Sequence, residues 1–320
     1  MEKPPKSAPT PVRYLEIDET RAGQRLDNFL ITQLKGVPKS RIYRLLRKGE
    51  VRVNRSRARP DYRIEAGDVV RLPPVRQATA ELKKPDARRF AWLADRILFE
   101  DEHLLALDKP AGMAVHGGSG VAVGLIEALR LLRPATRLEL AHRLDRDTSG
   151  CLLLAKDRQA LLALHAQLRA GEVEKRYHAL VQGAWRGGTR RVAAALARDR
   201  VRAGERKVEV RETGKEAESR ITPRQEYKIA TLVEIELLTG RMHQARVHAA
   251  HIGHPIAGDD KYGDRDFNRR LRRLGLKRLF LHAASLRFRH PAGGGKMHIE
   301  APLPSDLGAV LERLKHETSL

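Results

Sequence analysis

Apolar residues near the start of the chain recur at helical spacing. Leu26, Phe29, Leu30 and Leu34 share one face, and beyond Val37-Pro38-Lys39-Ser40 a second amphipathic stretch runs through Tyr43, Leu45 and Leu46 to Gly49. Val51 with Val53, then Val69, Val70 and Leu72, read as short strands. The prolines at 73 and 74 interrupt the pattern, and the charged stretch after them predicts a linker. Buried strands over 97–99 and 104–107 open a longer series: a helix at 125–132, an apolar strand at 151–155, a helix at 158–169 and an alternating strand at 173–181. That last strand places Lys175, Tyr177 and Ala179 on one face and Arg176, His178 and Leu180 on the other. β-like runs between 190 and 238 predict a largely antiparallel sheet. Gly240 then ends a strand, and residues 241–248 begin a helix whose start aims Arg246 and backbone N–H groups at an anion. A helix over 266–278, a strand over 279–290 and a terminal helix over 303–315 complete an α+β chain. The expected organisation is a disordered tail at 1–18, a small unit at 19–75, a linker at 76–92 and a large domain at 93–320.

Charge narrows the partner. Against 40 acidic residues stand 62 basic ones, a formal net charge of +22, which points to a polyanion. Nucleic acid is favoured over a membrane surface, because there is no lipid-type amphipathic segment and no apolar run near the ~18 residues of a membrane span. Between Lys35 and Arg63 eleven residues are basic and two acidic. Arg41, Arg44 and Lys48 recur at three and four, hence on one helix face, and Arg52 follows directly. A solvated helix face would mix its signs, so phosphate binding is the better account. Aromatics at 4% argue against a stacking platform for single-stranded bases. With Cys151 the only cysteine, there is no intrachain disulfide or cysteine zinc site, and a reducing cytoplasm is expected. Residues 1–12 are proline-rich and polar, without the apolar core of a signal peptide.

The densest chemistry lies in His142-Arg143-Leu144-Asp145-Arg146-Asp147-Thr148-Ser149-Gly150, set between two apolar runs. Arg143 and Arg146 favour an ionised Asp145, which could act as nucleophile, proton acceptor or guanidinium anchor; a salt-bridged turn closed by Gly150 would have the same composition. His243, His248, His251 and His254 invite a zinc reading, but no acidic ligand or cysteine accompanies them. A magnesium nuclease could draw on Asp145, Asp147, Asp259 and Asp260, although the arginines beside Asp145 would repel a dication. No Gly-x-Ser-x-Gly elbow raises Ser149 or Ser119 for a Ser-His-Asp triad, and the glycine-rich stretches at 109–112 and 116–120 have neither P-loop nor GxGxxG spacing. A single carboxylate on an RNA-holding protein, without metal or cofactor, suits glycosidic-bond chemistry on a base drawn out of its stack. The residues do not say which reaction.

Two resemblances do. Gln24-Arg25-Leu26-Asp27, Lys39-Ser40-Arg41 and the run from Gly49 to Asn54 resemble the S4 RNA-binding domain. His142 to Gly150 resembles the HRLDxxTSG signature of the RluA-type pseudouridine synthases. The similarity extends through Asp108-Lys109-Pro110-Ala111-Gly112, Lys175-Arg176-Tyr177, Thr239 to His248, Gly253-His254-Pro255-Ile256, Tyr262-Gly263 and Leu281-His282-Ala283. The run from Gly36 to Gly49 particularly resembles the bacterial 23S rRNA branch of that family, the RluC type. The resemblance implies a mixed, mainly antiparallel catalytic sheet flanked by helices, and an isomerase of 23S rRNA uridines that needs no cofactor or metal; a monomer is expected, although no residue pattern reports the oligomeric state. It also implies Asp145 as nucleophile or base, Tyr177 stacked on the flipped base and assisting loss of the C5 proton, and Arg246 paired with Asp145. Arg143 would fill the gap in the RNA, with Arg146, Arg41, Arg44, Lys48 and Arg52 contacting RNA elsewhere. Met242 and Ala245 depart from the family's usual Thr and Ile. The competing expectations are a non-catalytic rRNA-binding assembly factor, and a synthase of the same family acting on other rRNA or tRNA sites.

Overall fold

The computed structural model describes residues 11–19, 21–34, 36–75, 86–117, 123–200 and 206–317. The chain divides into two compact units, Met1–Pro85 and Asp86–Leu320.

In the first unit, β1 (Arg13–Glu16) pairs antiparallel with β3 (Val69–Leu72), which also pairs with β2 (Arg52–Val53). Helices α1 (Leu26–Gln33) and α2 (Lys39–Lys48) supply Leu26, Phe29, Leu30, Ile42, Leu45 and Leu46 to a core shared with Val53 and Val70. The helical spacing read from the sequence is therefore the packing face. α2 stops because Gly49 adopts a left-handed φ of 70° and turns its N–H back to the carbonyls of Leu45 and Leu46. Asp27 ties the two helices: it is 3% exposed, pairs with Arg25 and accepts the Tyr43 hydroxyl at 2.9 Å. The hydrogen bond from Arg25 is the main reason its carboxyl is held below the usual range. The expected disordered tail at 1–18 needs correction at its C-terminal end. Residues 1–10 lie outside the described residues, but Arg13–Glu16 is a paired strand and Ile17 is 1% exposed. So short an edge strand, with Tyr14 and Glu16 facing out, has too little alternation to be seen in the sequence.

The expected linker at 76–92 is also shorter than it reads. Residues 76–85 are outside the described set, yet Ala87–Arg96 is a 3₁₀ segment capped by the Asp86 side chain on Arg88 N–H. Phe90 and Leu93, three apart, face the large core together, as a three-residue turn requires.

The second unit is built on a ten-stranded sheet among the described residues. Its strands are β4 (Ile97–Glu100), β5 (Leu104–Lys109), β6 (Glu139–Leu140), β7 (Ser149–Ala155), β8 (Glu174–Gln182), β9 (Arg190–Ala193), β12 (Glu218–Glu226), β13 (Ala230–Leu237), β14 (Leu281–Arg289) and β15 (Lys296–Glu300). The hairpin β10 (Leu196–Arg200) and β11 (Arg206–Val210) stands apart from it. The main path runs β4-β5-β7-β14-β8-β13-β12-β9, with β6 on β7 and β15 on β14. Every pairing in this sheet is antiparallel except β7 with β14, so the mixed, mainly antiparallel sheet expected from the family is what the chain forms. Because successive strand residues face opposite sides, Leu105, Leu107, Leu152 and Leu154 enter one core while Leu104, Ala106, Cys151 and Leu153 enter another. α3 (Leu125–Leu132) covers the first core and α4 (Arg158–Ala170) the second, which accounts for a β7 buried along its whole length. α6 (Arg265–Arg273) and α7 (Ser305–Lys315) close a further cluster around Phe280, and α5 (Gln244–His251) lies over the sheet near the site.

Candidate active site

Asp145 lies in the loop between β6 and β7. Buried Leu144 and Thr148 anchor the loop, and its Asp145 carbonyl accepts the Thr148 N–H at 3.2 Å. From below, Lys109, with no exposed surface, donates to the carbonyls of Pro110, Met113 and Arg146 at 2.8, 2.9 and 3.0 Å. Burial pushes its ammonium down to about 8, the cost of placing a cation where three backbone dipoles need it. His142 is structural: its Nε2 accepts the Leu153 N–H at 3.1 Å, and burial, helped by the Lys175 charge, lowers the ring to about 4, so it is a neutral acceptor.

α5 supplies the other wall. Gln244 fixes its start through four hydrogen bonds, accepting from the Thr239 hydroxyl and Arg241 N–H and donating to the Glu218 carbonyl and Ser219 hydroxyl. Arg246 Nη1 then stands 3.6 Å from Asp145 Oδ2, and His243 Nε2 lies 3.8 Å from the same oxygen. Arg246 is thus brought to Asp145 as expected, but its principal partner is another residue. Its Nε and Nη2 form a bidentate pair with Asp259, each at 2.7 Å, and Asp259 also accepts the N–H groups of Lys261 and Tyr262. Burial opposes charge on Asp259, yet the guanidinium and the two amides outweigh it and hold the carboxyl below its ordinary range. Sequence reading left Asp259 among possible magnesium ligands; its lone pairs are instead engaged by Arg246 and the backbone, which removes it from any metal cluster with Asp145. The histidine set is likewise dispersed: His248 bonds Ser219 and Ala194, and His254 bonds Gln182 while stacking on Trp185 at 4.7 Å. Among the described residues no group of three His, Cys, Asp or Glu could hold a metal ion.

Ser149 does meet a histidine: its hydroxyl lies 2.9 Å from His282 Nδ1, with Nε2 donating to the Ala301 carbonyl at 3.1 Å. Both side chains are buried and the distal partner is a carbonyl, so this pair fastens β7 to β14 and is no nucleophile. Tyr177, on β8 opposite Ile235 and Ala283, is 8% exposed and lines a pocket of about 60 Å³ together with Asp145, Arg143, His243 and Arg246. Burial first and the Asp145 charge second push its hydroxyl upward, so it is a neutral phenol. The pocket adjoins a cleft of about 640 Å³ with Asp145 on its wall and Arg143, Arg146, Arg272, Lys277 and Arg278 around it. Arg143 is exposed at this rim; Arg146 is exposed and pairs with Asp147 at 3.1 Å. In the first unit Arg44, Lys48 and Arg52 are exposed and Arg41 half-buried, with Arg52 also donating to the Arg55 carbonyl at 3.1 Å. Met242 packs by the cluster of Leu196, Val208 and Val247, and Ala245 is buried in the main core, so both family departures are absorbed by packing.

A mixed sheet with a carboxylate held above it among cations, joined to a basic helical unit, defines a class of RNA-modifying enzymes. The chain belongs to the RNA pseudouridylate synthase family, whose model matches residues 103–251, and residues 24–70 match the S4 domain. It is 54% identical over 310 residues to the ribosomal large subunit pseudouridine synthase C of Escherichia coli strain K12, an overlap of 95% of this chain and 97% of that protein. To the protein of that name from Pasteurella multocida it is 53% identical over 96% of this chain and 95% of the relative. Among solved structures, human RNA pseudouridylate synthase domain containing 4 superposes with a TM-score of 0.60 at 26% identity, over 72% of this chain and 96% of that one. No helix of the described residues is long and apolar enough to cross a membrane.

Proposed function

We propose that this protein converts specific uridines of 23S rRNA to pseudouridine in the cytoplasm, with Asp145 as the catalytic carboxylate. The observation that carries the reading is an uncommitted carboxylate in a cationic cleft: the nearest cation to Asp145 is at 3.6 Å, whereas neighbouring Asp259 is fully engaged. The S4 unit and the relatives named for the large ribosomal subunit support the RNA class. The C1′–N1 bond breaks, uracil turns, C5 bonds to C1′, the C5 proton leaves and N1 gains one, so the atoms balance without an outside reagent. Asp145 acts by attacking C1′ or by taking the C2′ proton, and either needs its ionised form. Reaching the sugar requires the nucleotide to leave its stack; in this reading Arg143, at the rim, fills the vacancy and the Tyr177 ring, in the pocket wall, meets the base. Burial keeps the Tyr177 phenol neutral in the free protein, and we assign it the ring contact with the base and assistance to the late loss of the C5 proton.

The test is pseudouridine mapping of 23S rRNA, by chemical adduct and reverse-transcription stops, in cells with and without the gene. A discrete set of stops should vanish and return with the wild-type gene but not with Asp145→Ala. Purified Asp145→Asn should bind RNA and form no pseudouridine; turnover by that variant would sink the assignment. An unchanged 23S map with altered tRNA or 16S maps would move the substrate within the family, and no change anywhere would favour the assembly factor.

A further inference from the structure

His243 has a task that neither the motif nor the metal reading gives it. It sits at the N-cap of α5 with φ 56° and ψ 18°, a left-handed conformation that a β-substituted residue adopts at a cost. That conformation turns the ring between two partners. Nδ1 lies 2.8 Å from the Tyr262 hydroxyl and Nε2 lies 3.8 Å from Asp145 Oδ2. The Tyr262 oxygen already accepts the Val208 N–H at 3.0 Å; when its own hydrogen is given to Nδ1, the imidazole proton stands on Nε2, facing the carboxylate. Tyr262 is fixed in turn by the Arg246 guanidinium, 5.0 Å from its ring centre, and by an edge contact with His243 at 5.6 Å.

We propose that His243 is a positioning residue for Asp145: as the neutral Nε2–H tautomer set by Tyr262, it donates to Oδ2 when RNA fills the cleft, leaving Oδ1 for the ribose. The inference rests on Asp145 being the catalytic carboxylate. A separation of 3.8 Å is an approach and not yet a hydrogen bond, and such contacts tighten on substrate binding. The charged and titratable groups around the ring are Asp145 on its loop, Arg246 on α5, and Asp259, Lys261 and Tyr262 in the following turn. Burial first, then Arg246 and Lys261, disfavour a second proton more than Asp145 and Asp259 favour it, so the ring is neutral near pH 7. Protonation at lower pH would convert a neutral donor into an ion-pair partner and make Asp145 less reactive.

The experiment is single-turnover pseudouridine formation on transcribed 23S rRNA, across pH, with RNA affinity and melting measured alongside. Asn takes the left-handed conformation readily but is too short to reach, so His243→Asn should slow the reaction about 10–100-fold with unchanged affinity and melting. His243→Gln restores an N–H at longer reach and should recover most of the rate, with only the acid loss that protonation of Asp145 itself causes. Tyr262→Phe frees Nδ1 to take a proton and should move the wild-type acid loss toward neutral pH. Wild-type rates in His243→Asn, equal loss in both His243 variants with lowered melting, or an acid limb that Tyr262→Phe leaves unmoved would each overturn the proposal. Asp145→Asn run in parallel separates the two claims: if it is active the reading of Asp145 falls, and if it is inert while His243→Asn is fully active only the present inference falls.

Discussion

Replacing Asp259 by alanine would leave the Arg246 guanidinium, whose side chain is 10% exposed, without the anion that compensates its burial. Breaking one side of a buried bidentate pair costs about 3–5 kcal/mol, so Asp259→Ala should lower stability by that order in urea titration and also reduce turnover, since Arg246 would be released from Asp145. The pH sign follows from the direction of the shift. A carboxyl held below its unfolded value contributes stability that is full above the unfolded value and lost as pH falls through the folded one. Asp259→Asn should therefore flatten the acid side of the stability curve, and an unchanged acid limb in urea titrations from pH 2 to pH 6 would count against the assignment. Asp145, Arg246 and Tyr177 could be marked from their motifs, but not the competition for Arg246. An aspartate that follows Gly258 in a loop carries no mark of which guanidinium will reach it, because that contact spans thirteen residues and two elements. Nor is the left-handed His243 legible, because histidine lacks glycine's signature and only the Tyr262 and Asp145 contacts make the conformation worthwhile.

The junction of β7 with β14 is the single parallel contact of the large sheet among the described residues, made where Ser149 meets His282 and Gly150 meets Ala283. A β-carbon at Gly150 would stand 2.2 Å from the Ala283 carbonyl oxygen, and φ is +110°. Gly150→Ala should cost about 3 kcal/mol from strain and overlap, a fall in Tm of roughly 6–12 °C. Gly171, which caps α4 at φ +75° with nothing near its missing β-carbon, isolates the conformational part. Gly171→Ala should cost only about 1 kcal/mol, so equal Tm losses in the two variants would show that close approach is not what selects Gly150. At this scale most of the fold was readable: the apolar run at 151–155 became β7, and the alternating run at 173–181 became β8 with Lys175 and Tyr177 inward. The misses, Arg13–Glu16 and the 3₁₀ segment from Ala87, are elements with one or two inward apolar residues, too few to set a period against their charged neighbours.

For the whole molecule, the excess of charge that the sequence displays openly sets how it meets RNA, while the choice of uridine depends on RNA shape and leaves no pattern in the chain. With a net charge of +22, affinity for 23S rRNA should fall linearly in log–log form as salt rises. The first unit's share of that slope can be isolated, because Arg41, Arg44 and Lys48 lie on one helix whose packing residues are Ile42, Leu45 and Leu46. Substituting the three basic residues by alanine leaves that apolar face intact, and alanine favours the helix, so the unit should remain folded. If each contacts one phosphate, the slope should become shallower by about 2–3, at roughly 0.7–0.9 per contact. The triple variant should raise KM and leave kcat unchanged, because phosphate contacts made by the first unit, away from the reacting nucleotide, stabilise ground and transition states equally. An unaltered salt slope would remove this helix face from the RNA interface. A fall in kcat with KM unchanged would mean that the first unit acts on the chemical step as well as on binding.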